Sequence, residues 1–337
     1  MKHINIPIFI PHEGCPNDCI FCNQRKISGH VRTPSEAEMV STIEEHLQTV
    51  NPDDHCEIAF FGGSFTGLPE QLQKHFLKIA HRYVIEGRVK GIRLSTRPDY
   101  INTAELNLLK QYSVKVIELG IQSLDEEVLK KSLRNYSPQT AIDACRMIKD
   151  NGFSLGVQTM IGLPKDTLQK SIDTAKRLIE LEPEMVRIYP TLVIKDTELA
   201  QQYFNNRYKP LTLDEAVLWC SLLVPMYEEA NIQVLRIGLQ DTVDLQKGNE
   251  VIAGPVHPAF GDLVYSKILL NHITNKLDSM DIRVKKVTIH VAPSQVSLVV
   301  GQHRRNINFL KEKYGFSHIK VKADQKSQKS VLFEFLD

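Results

Sequence analysis

Residues 14–24 read "GCPNDCIFCNQ", a loop in which Cys15, Cys19 and Cys22 are spaced C-x3-C-x2-C. Thiolates in such a cluster suit zinc or an iron–sulfur centre. A structural zinc wants a closed tetrahedral set of four ligands. The loop offers three, so His12 or the distant Cys56 would have to complete it. A cubane cluster held by three cysteines instead keeps one iron without a protein ligand. That iron can take the amino and carboxylate groups of a small molecule. On the loop alone both readings stand, and the surrounding chain has to separate them.

On the N-terminal side of the loop lies a strand-like run, "INIPIFI" (4–10), and on the other a helix start at Thr33-Pro34-Ser35-Glu36, read as N-cap, first-turn proline and capping-box acid. The same alternation continues. Strand-like runs "CEIAFF" (56–61), "GIRLS" (91–95), "VKVIELGI" (114–121), "SLGVQTMI" (154–161) and "MVRIYP" (185–190) are separated by amphipathic stretches. Ser137-Pro138 opens one of these, and Asp166 with Gln169 another. Alternating β and α with short loops predicts an α/β fold with a parallel sheet. Right-handed crossovers curl about six such units into a partial (β/α)6 barrel with the chemistry at the loops after the strands. The cysteine loop, "GGSF" (62–65), "STRPD" (95–99), "GIQS" (120–123) and "MIGLP" (160–164) all fall there.

With 42% hydrophobic and 24% charged residues among 337, the chain reads as an ordinary soluble globular protein of one large or two smaller domains. No apolar run reaches the length of a membrane span, so no membrane is expected. The N-terminus, broken by Pro7 and Pro11, lacks the pattern of a signal peptide. The expected compartment is the cytoplasm, where six cysteines argue against a disulfide framework. The net charge of +1 is unevenly spread: residues 281–337 hold 11 Lys/Arg against 5 Asp/Glu, and the rest 30 against 35. A basic segment on a mildly acidic body suits a polyanionic partner. The expected division is 1–240 barrel, 241–280 connection, and 281–337 a basic α/β domain.

Other strand ends offer contacts for the small molecule. Gly62 and Gly63, followed by Ser64, let backbone carbonyls approach an ammonium group. Arg97 can pair with a carboxylate in bidentate fashion. Gln122 and Gln158 can serve ribose hydroxyls, Ile161 and Leu163 an adenine, and Phe21 offers a ring edge next to Cys22. Tyr189, at the end of the sixth run, is the candidate for facing a substrate. The cysteine spacing with its aromatic residue resembles the signature of the radical S-adenosylmethionine (SAM) superfamily. "FFGGSFTGLP" (60–69), "STRPDYI" (95–101), "ELGIQSLDEEVL" (118–129) and "YPTLVIKDTELAQQY" (189–203) resemble the radical SAM core of the catalytic subunit of Elongator, which modifies the tRNA wobble uridine. A looser similarity is to oxygen-independent coproporphyrinogen oxidases. The resemblance implies a 4Fe–4S cluster on Cys15, Cys19 and Cys22, SAM over the loops named above, and an electron donor for the cluster. It further implies cleavage of SAM to methionine and a 5′-deoxyadenosyl radical. The Elongator subunit has a more widely spaced cysteine motif and a C-terminal acetyltransferase domain. The expectation here is the core without that domain.

"SLVVGQHRRNINFLKEKYGFSHIKVKAD" (297–324) is similar to a KH module, in which a Gly-x-x-Gly loop between two helices clamps nucleic-acid backbone. Here the second glycine is Arg304, and Arg304 with Arg305 adds charge for phosphates. A structural cap with a solvated basic face is the plain alternative. Together these readings point to a radical SAM enzyme acting on RNA, with tRNA as the expected partner. The alternatives are a radical SAM enzyme acting on a porphyrin or other small molecule, and an RNA-binding protein with a structural metal site.

Overall fold

Amphipathic crossovers between apolar runs leave parallel pairing as the way to join them in one sheet. In the computed structural model, which describes residues 2–10, 19–23, 32–51, 53–239, 250–282, 285–324 and 331–336, they do so. Strands β1 (His3–Ile10), β2 (His55–Gly62), β3 (Gly91–Thr96), β4 (Val114–Gln122), β5 (Ser154–Ile161) and β6 (Met185–Pro190) lie side by side in chain order, every neighbouring pair parallel. The two-residue β7 (Val193–Ile194) leaves this sheet, and β8 (Gln233–Ile237) adds a seventh strand beside β6. Among the described residues β1 and β8 do not pair, so the sheet is a curled half-barrel with two free edges. The seventh strand comes from "IQVLRIGL" (232–239), which reads as a strand in sequence but follows a long helix, Leu213–Glu229. The short β7 pairs antiparallel with β9 (Val251–Ala253).

Capping decides where the helices begin. Ser35, not Thr33, caps helix Glu36–Leu47, with Glu38 closing the capping box. Ser137 caps helix Pro138–Asp150 as its Ser-Pro start predicts. Helix Leu168–Ile179 is capped by Thr167 rather than Asp166. The Asp166 carboxylate instead accepts the Gly162 N–H at 2.8 Å and the Ser171 hydroxyl at 2.9 Å, tying down the loop after β5.

The chain packs as two units, Met1–Leu213 with Met226–Val256 and Asp214–Pro225 with His257–Asp337. In the second, β10 (Lys286–Val291) lies between a parallel β11 (His318–Ala323) and an antiparallel β12 (Leu332–Leu336). Val287, Ile289, Val291 and Ile319 meet Ile273, Leu277, Ile307 and Leu310 from the helices in one core. By strand alternation the even-numbered residues His318, Lys320 and Lys322 stand on the opposite face, and all three are exposed. No helix of the described residues is long and apolar enough to cross a membrane.

The inside of the half-barrel is ionic where a sheet covered on both faces is normally apolar. Arg93 is 1% exposed and reaches across three strands. Its Nε donates to Glu57 at 2.8 Å and its Nη1 to Glu118 at 3.0 Å. Glu118, also 1% exposed, accepts from Arg187 Nε at 2.6 Å and from Gln158 Nε2 at 3.2 Å. Burial works against the Glu118 charge, but Arg187 and Arg93 outweigh it and hold its pKa below the ordinary carboxylate value. Two carboxylates and two guanidiniums thus balance, and His3 adds a contact to Glu57 at 3.0 Å.

Candidate active site

A cleft opens at the C-terminal ends of the strands. Cys19, Phe21 and Cys22 form one side of it. Gly62, Gly63 and Ser64 follow from the end of β2, Ser95, Thr96 and Arg97 from β3, Gly120 and Gln122 from β4, and Gln158 from β5. Arg134 completes the lining. Cys15 lies outside the described residues.

The cysteine segment is fixed at both ends of its turn. Cys22 N–H donates to the Cys19 carbonyl at 2.9 Å, and the Ile20 carbonyl accepts from Leu199 N–H at 2.8 Å. Ile20 and Phe21 pack with Val128, Leu163 and Leu199. This apolar footing holds Cys19 and Cys22 on one short turn that faces the strand ends.

Gly62 is required by the fold as well as by the cleft. Its φ is +104°, and a Cβ there would stand 2.6 Å from the Ile10 carbonyl oxygen on β1. That same oxygen accepts the Gly63 N–H at 2.9 Å, so the turn after β2 is drawn tightly onto β1. Gly62→Ala is expected to lower stability by roughly 2–4 kcal/mol, from a forbidden φ plus a backbone clash, in chemical denaturation followed by circular dichroism. An unchanged midpoint would show that the turn relaxes without cost.

Gln122 is aimed by a bulge. Gly120 pairs with Gln158 and Gln122 with Thr159, so Ile121 is an extra residue in β4. Gln122 itself sits at φ +67°, a conformation uncommon for a residue with a side chain. Its Oε1 is buried and has no hydrogen-bond partner among the described residues. A buried amide oxygen in a cleft costs stability until a ligand donor meets it. Two thiols on one turn and this unmet acceptor opposite them fit a soft metal centre with a polar small molecule beside it.

Of the other expected contacts, Arg97, Ser64 and Gln158 line the cleft and are also hydrogen-bonded within the protein. The Arg97 fork is taken by Asp99, at 2.9 Å from Nε and 2.8 Å from Nη2, while Nη1 donates to Cys19 Sγ at 3.5 Å. The Ser64 hydroxyl is shared with Thr96 at 2.8 Å and accepts the Arg97 N–H at 3.1 Å. The Gln158 Nε2 donates to Ser95 and to Glu118, each at 3.2 Å. Ile161 and Leu163 are 1% and 2% exposed and do not line the cleft, because the loop after β5 folds them into the core. Tyr189 sits partly buried on β6 and lines no part of the cleft either. Burial raises its pKa, against the opposing pull of Arg187.

Arg134 is a residue of the cleft that no strand-end motif marks. It is 5% exposed and donates to Cys19 Sγ at 3.3 Å through Nη1. Its Nε and Nη2 donate to the Tyr136 hydroxyl at 3.1 and 2.9 Å, and Nη2 also meets the Gly120 carbonyl. Burial opposes its charge, but Tyr136 and Cys19 beside it hold its pKa above the ordinary arginine value. In the second unit, Arg304 holds a left-handed φ of +60° where the similar modules have glycine. Arg305 pairs with Asp214 at 2.9 and 3.0 Å, and both side chains remain exposed.

Comparison with known proteins agrees with this geometry. A family model described as the Radical SAM superfamily matches residues 9–178, and one described as the Radical_SAM C-terminal domain matches residues 183–269. The tRNA uridine(34) acetyltransferase of Methanocaldococcus infernus is 28% identical over 195 residues, 52% of this chain and 36% of that protein. Elongator complex protein 3 of Bos taurus is 26% identical over 281 residues, 76% of this chain and 50% of that protein. The chain therefore spans half or less of the length of these relatives. The solved structure of the archaeal Methanocaldococcus infernus Elp3 with an N-terminal deletion matches with a TM-score of 0.65 at 22% identity, over 89% of this chain and 67% of that one, a likeness of fold.

Proposed function

The chain belongs to the radical SAM superfamily and is an enzyme of it, and from that premise we propose that it cleaves SAM reductively at a 4Fe–4S cluster and modifies RNA, with tRNA as substrate. The observation that carries the first part is the facing of Cys19 and Cys22 by the unmet Gln122 Oε1 and the buried Arg134. Cys15, Cys19 and Cys22 would hold the cluster, which when bound supplies the electron that splits SAM into methionine and a 5′-deoxyadenosyl radical. The protein's own share is placement. Gln122 Oε1 accepts from a ribose hydroxyl, and the glycine turn 62–63 leaves room for an ammonium group. Arg134 is a donor for an anionic group, since no carboxylate pairs with it among the described residues. Packing of Ile20 and Phe21 keeps water from that side of the turn, as radical chemistry requires.

Support for RNA comes from the relatives that modify tRNA uridine and from the basic second unit. There the phosphate contacts belong to the exposed lysines of β11. Lys320 and Lys322 make no ion pair among the described residues and act on Glu334 only at longer range. Reversing both, Lys320→Glu with Lys322→Glu, is expected to weaken total-tRNA binding about tenfold at low salt. It should also flatten the salt dependence by roughly one to two units of slope. Equal affinity in the reversed protein would move the RNA off these lysines.

The test of the whole reading is anaerobic reconstitution with iron and sulfide, followed by dithionite, SAM and total tRNA. Expected are four irons and four labile sulfides per chain, 5′-deoxyadenosine, and a changed nucleoside in the digested tRNA. Abundant 5′-deoxyadenosine with unaltered tRNA would sink the RNA half alone. One zinc and no labile sulfide would sink both.

A further inference from the structure

The ion pairs of the half-barrel leave one account open. Every other buried guanidinium described above has a carboxylate: Arg93 has Glu57 and Glu118, Arg187 has Glu118, and Arg97 has Asp99. Arg134 has none among the described residues. Its partners are a phenol, a carbonyl and the sulfur of Cys19. An uncompensated buried charge costs several kcal/mol, so a fold that keeps one needs an anion there.

We infer that Arg134 is the counter-charge of the cluster, acting through Cys19 to raise its reduction potential. The inference rests on the proposed 4Fe–4S centre. An oxidised cluster of charge 2+ on three thiolates carries a net charge of −1, and a one-electron donor such as dithionite takes it to −2. A fixed positive charge on a ligating sulfur favours the second state over the first. Hydrogen bonds to cluster sulfurs and net local charge are the levers that set such potentials. Two N–H groups converge on the same atom, Arg134 Nη1 at 3.3 Å and Arg97 Nη1 at 3.5 Å. They are not equivalent, because Asp99 pairs with Arg97 and no acid among the described residues pairs with Arg134.

The position of Arg134 is built rather than incidental. Its N–H groups hold the Tyr136 hydroxyl, which in turn donates to the Ile121 carbonyl at 2.9 Å. Ile121 is the bulged residue of β4. The irregularity that turns Gln122 into the cleft therefore also exposes the carbonyls that orient Tyr136 and, through it, the guanidinium. Acting through another residue, Arg134 is a positioning group for charge and not a participant in bond breaking.

The experiment is a potentiometric titration of the full-length reconstituted protein, followed by electron paramagnetic resonance of the reduced cluster, with no SAM present. Omitting SAM matters, since a residue that only anchors a SAM carboxylate would change nothing in its absence. Arg134→Gln, which keeps hydrogen-bonding capacity and loses charge, is expected to shift the one-electron equilibrium toward the oxidised state at least tenfold, about 59 mV. Arg134→Lys, which keeps the charge, should restore most of that shift. An unchanged midpoint in Arg134→Gln without SAM overturns the inference, including the case where a shift emerges only after SAM is added. If Arg134→Gln takes up no cluster, Arg134→Lys decides. A cluster in the lysine variant supports a requirement for charge, and its loss there too overturns it. Wild-type protein without four irons and four sulfides would instead remove the proposed function itself, a failure seen before any titration begins.

Discussion

Cys19→Ala reconstituted in parallel with wild type is expected to lose its iron and labile sulfide and to make 5′-deoxyadenosine only at the protein-free background. The reason lies in where Cys19 sits. It is 4% exposed, on a turn closed by the Cys22 N–H, with two guanidiniums on its sulfur. A water molecule or buffer thiol has poor access to replace it, and alanine would also leave Arg134 facing no anion. Cys56, Cys145 and Cys220 offer no substitute. All three are buried, and burial raises each thiol pKa, to about 11 for Cys56 and about 12 for the others. Cys145→Ala, in the same assay, should keep full cluster content. Retained turnover in Cys19→Ala would place the chemistry somewhere other than this turn.

Arg93→Leu is expected to cost roughly 3–5 kcal/mol, the range for removing one partner from a buried ionic set. Against a total stability of about 5–15 kcal/mol that is enough to leave much of the chain unfolded or insoluble. Arg93 lies between Glu57 and Glu118 on the two neighbouring strands, so its loss strands one carboxylate and weakens the hold on the other. The double change Arg93→Leu with Glu57→Leu should recover much of the loss, because Glu118 then still has Arg187. Urea denaturation of the three proteins checks the order. If the double variant is the least stable, the carboxylates are being held by something other than Arg93.

The strands of the large sheet were legible because each is an apolar run with a turn signal at its end, and β5 and β6 match their expected bounds residue for residue. The sites at the strand ends followed, since topology alone carries loops after parallel strands to one rim. Roles within the rim were harder. Arg97 reads as a carboxylate binder, and in the structure Asp99, two residues on, occupies its fork. Arg134 carries no local signal at all: "LRNYSP" looks like a polar loop, and only the return of that loop to Gly120 makes it part of the cleft. The interior ions do carry a signal in the sequence. Glu57, Arg93, Glu118 and Arg187 each interrupt an otherwise apolar run in a strand of a parallel sheet. A charge on the covered face of such a strand asks for partners on the adjacent strands; Lys115, the other charge in β4, is exposed.

The two free edges of the sheet bear on what the enzyme can accommodate. A closed barrel is a cup, and a substrate must be small enough to enter through its rim. A sheet whose first and last strands do not pair among the described residues is not held to that limit. Were RNA the substrate, as proposed above, a single nucleotide could be offered to the strand ends without the sheet having to close around the rest of the polymer.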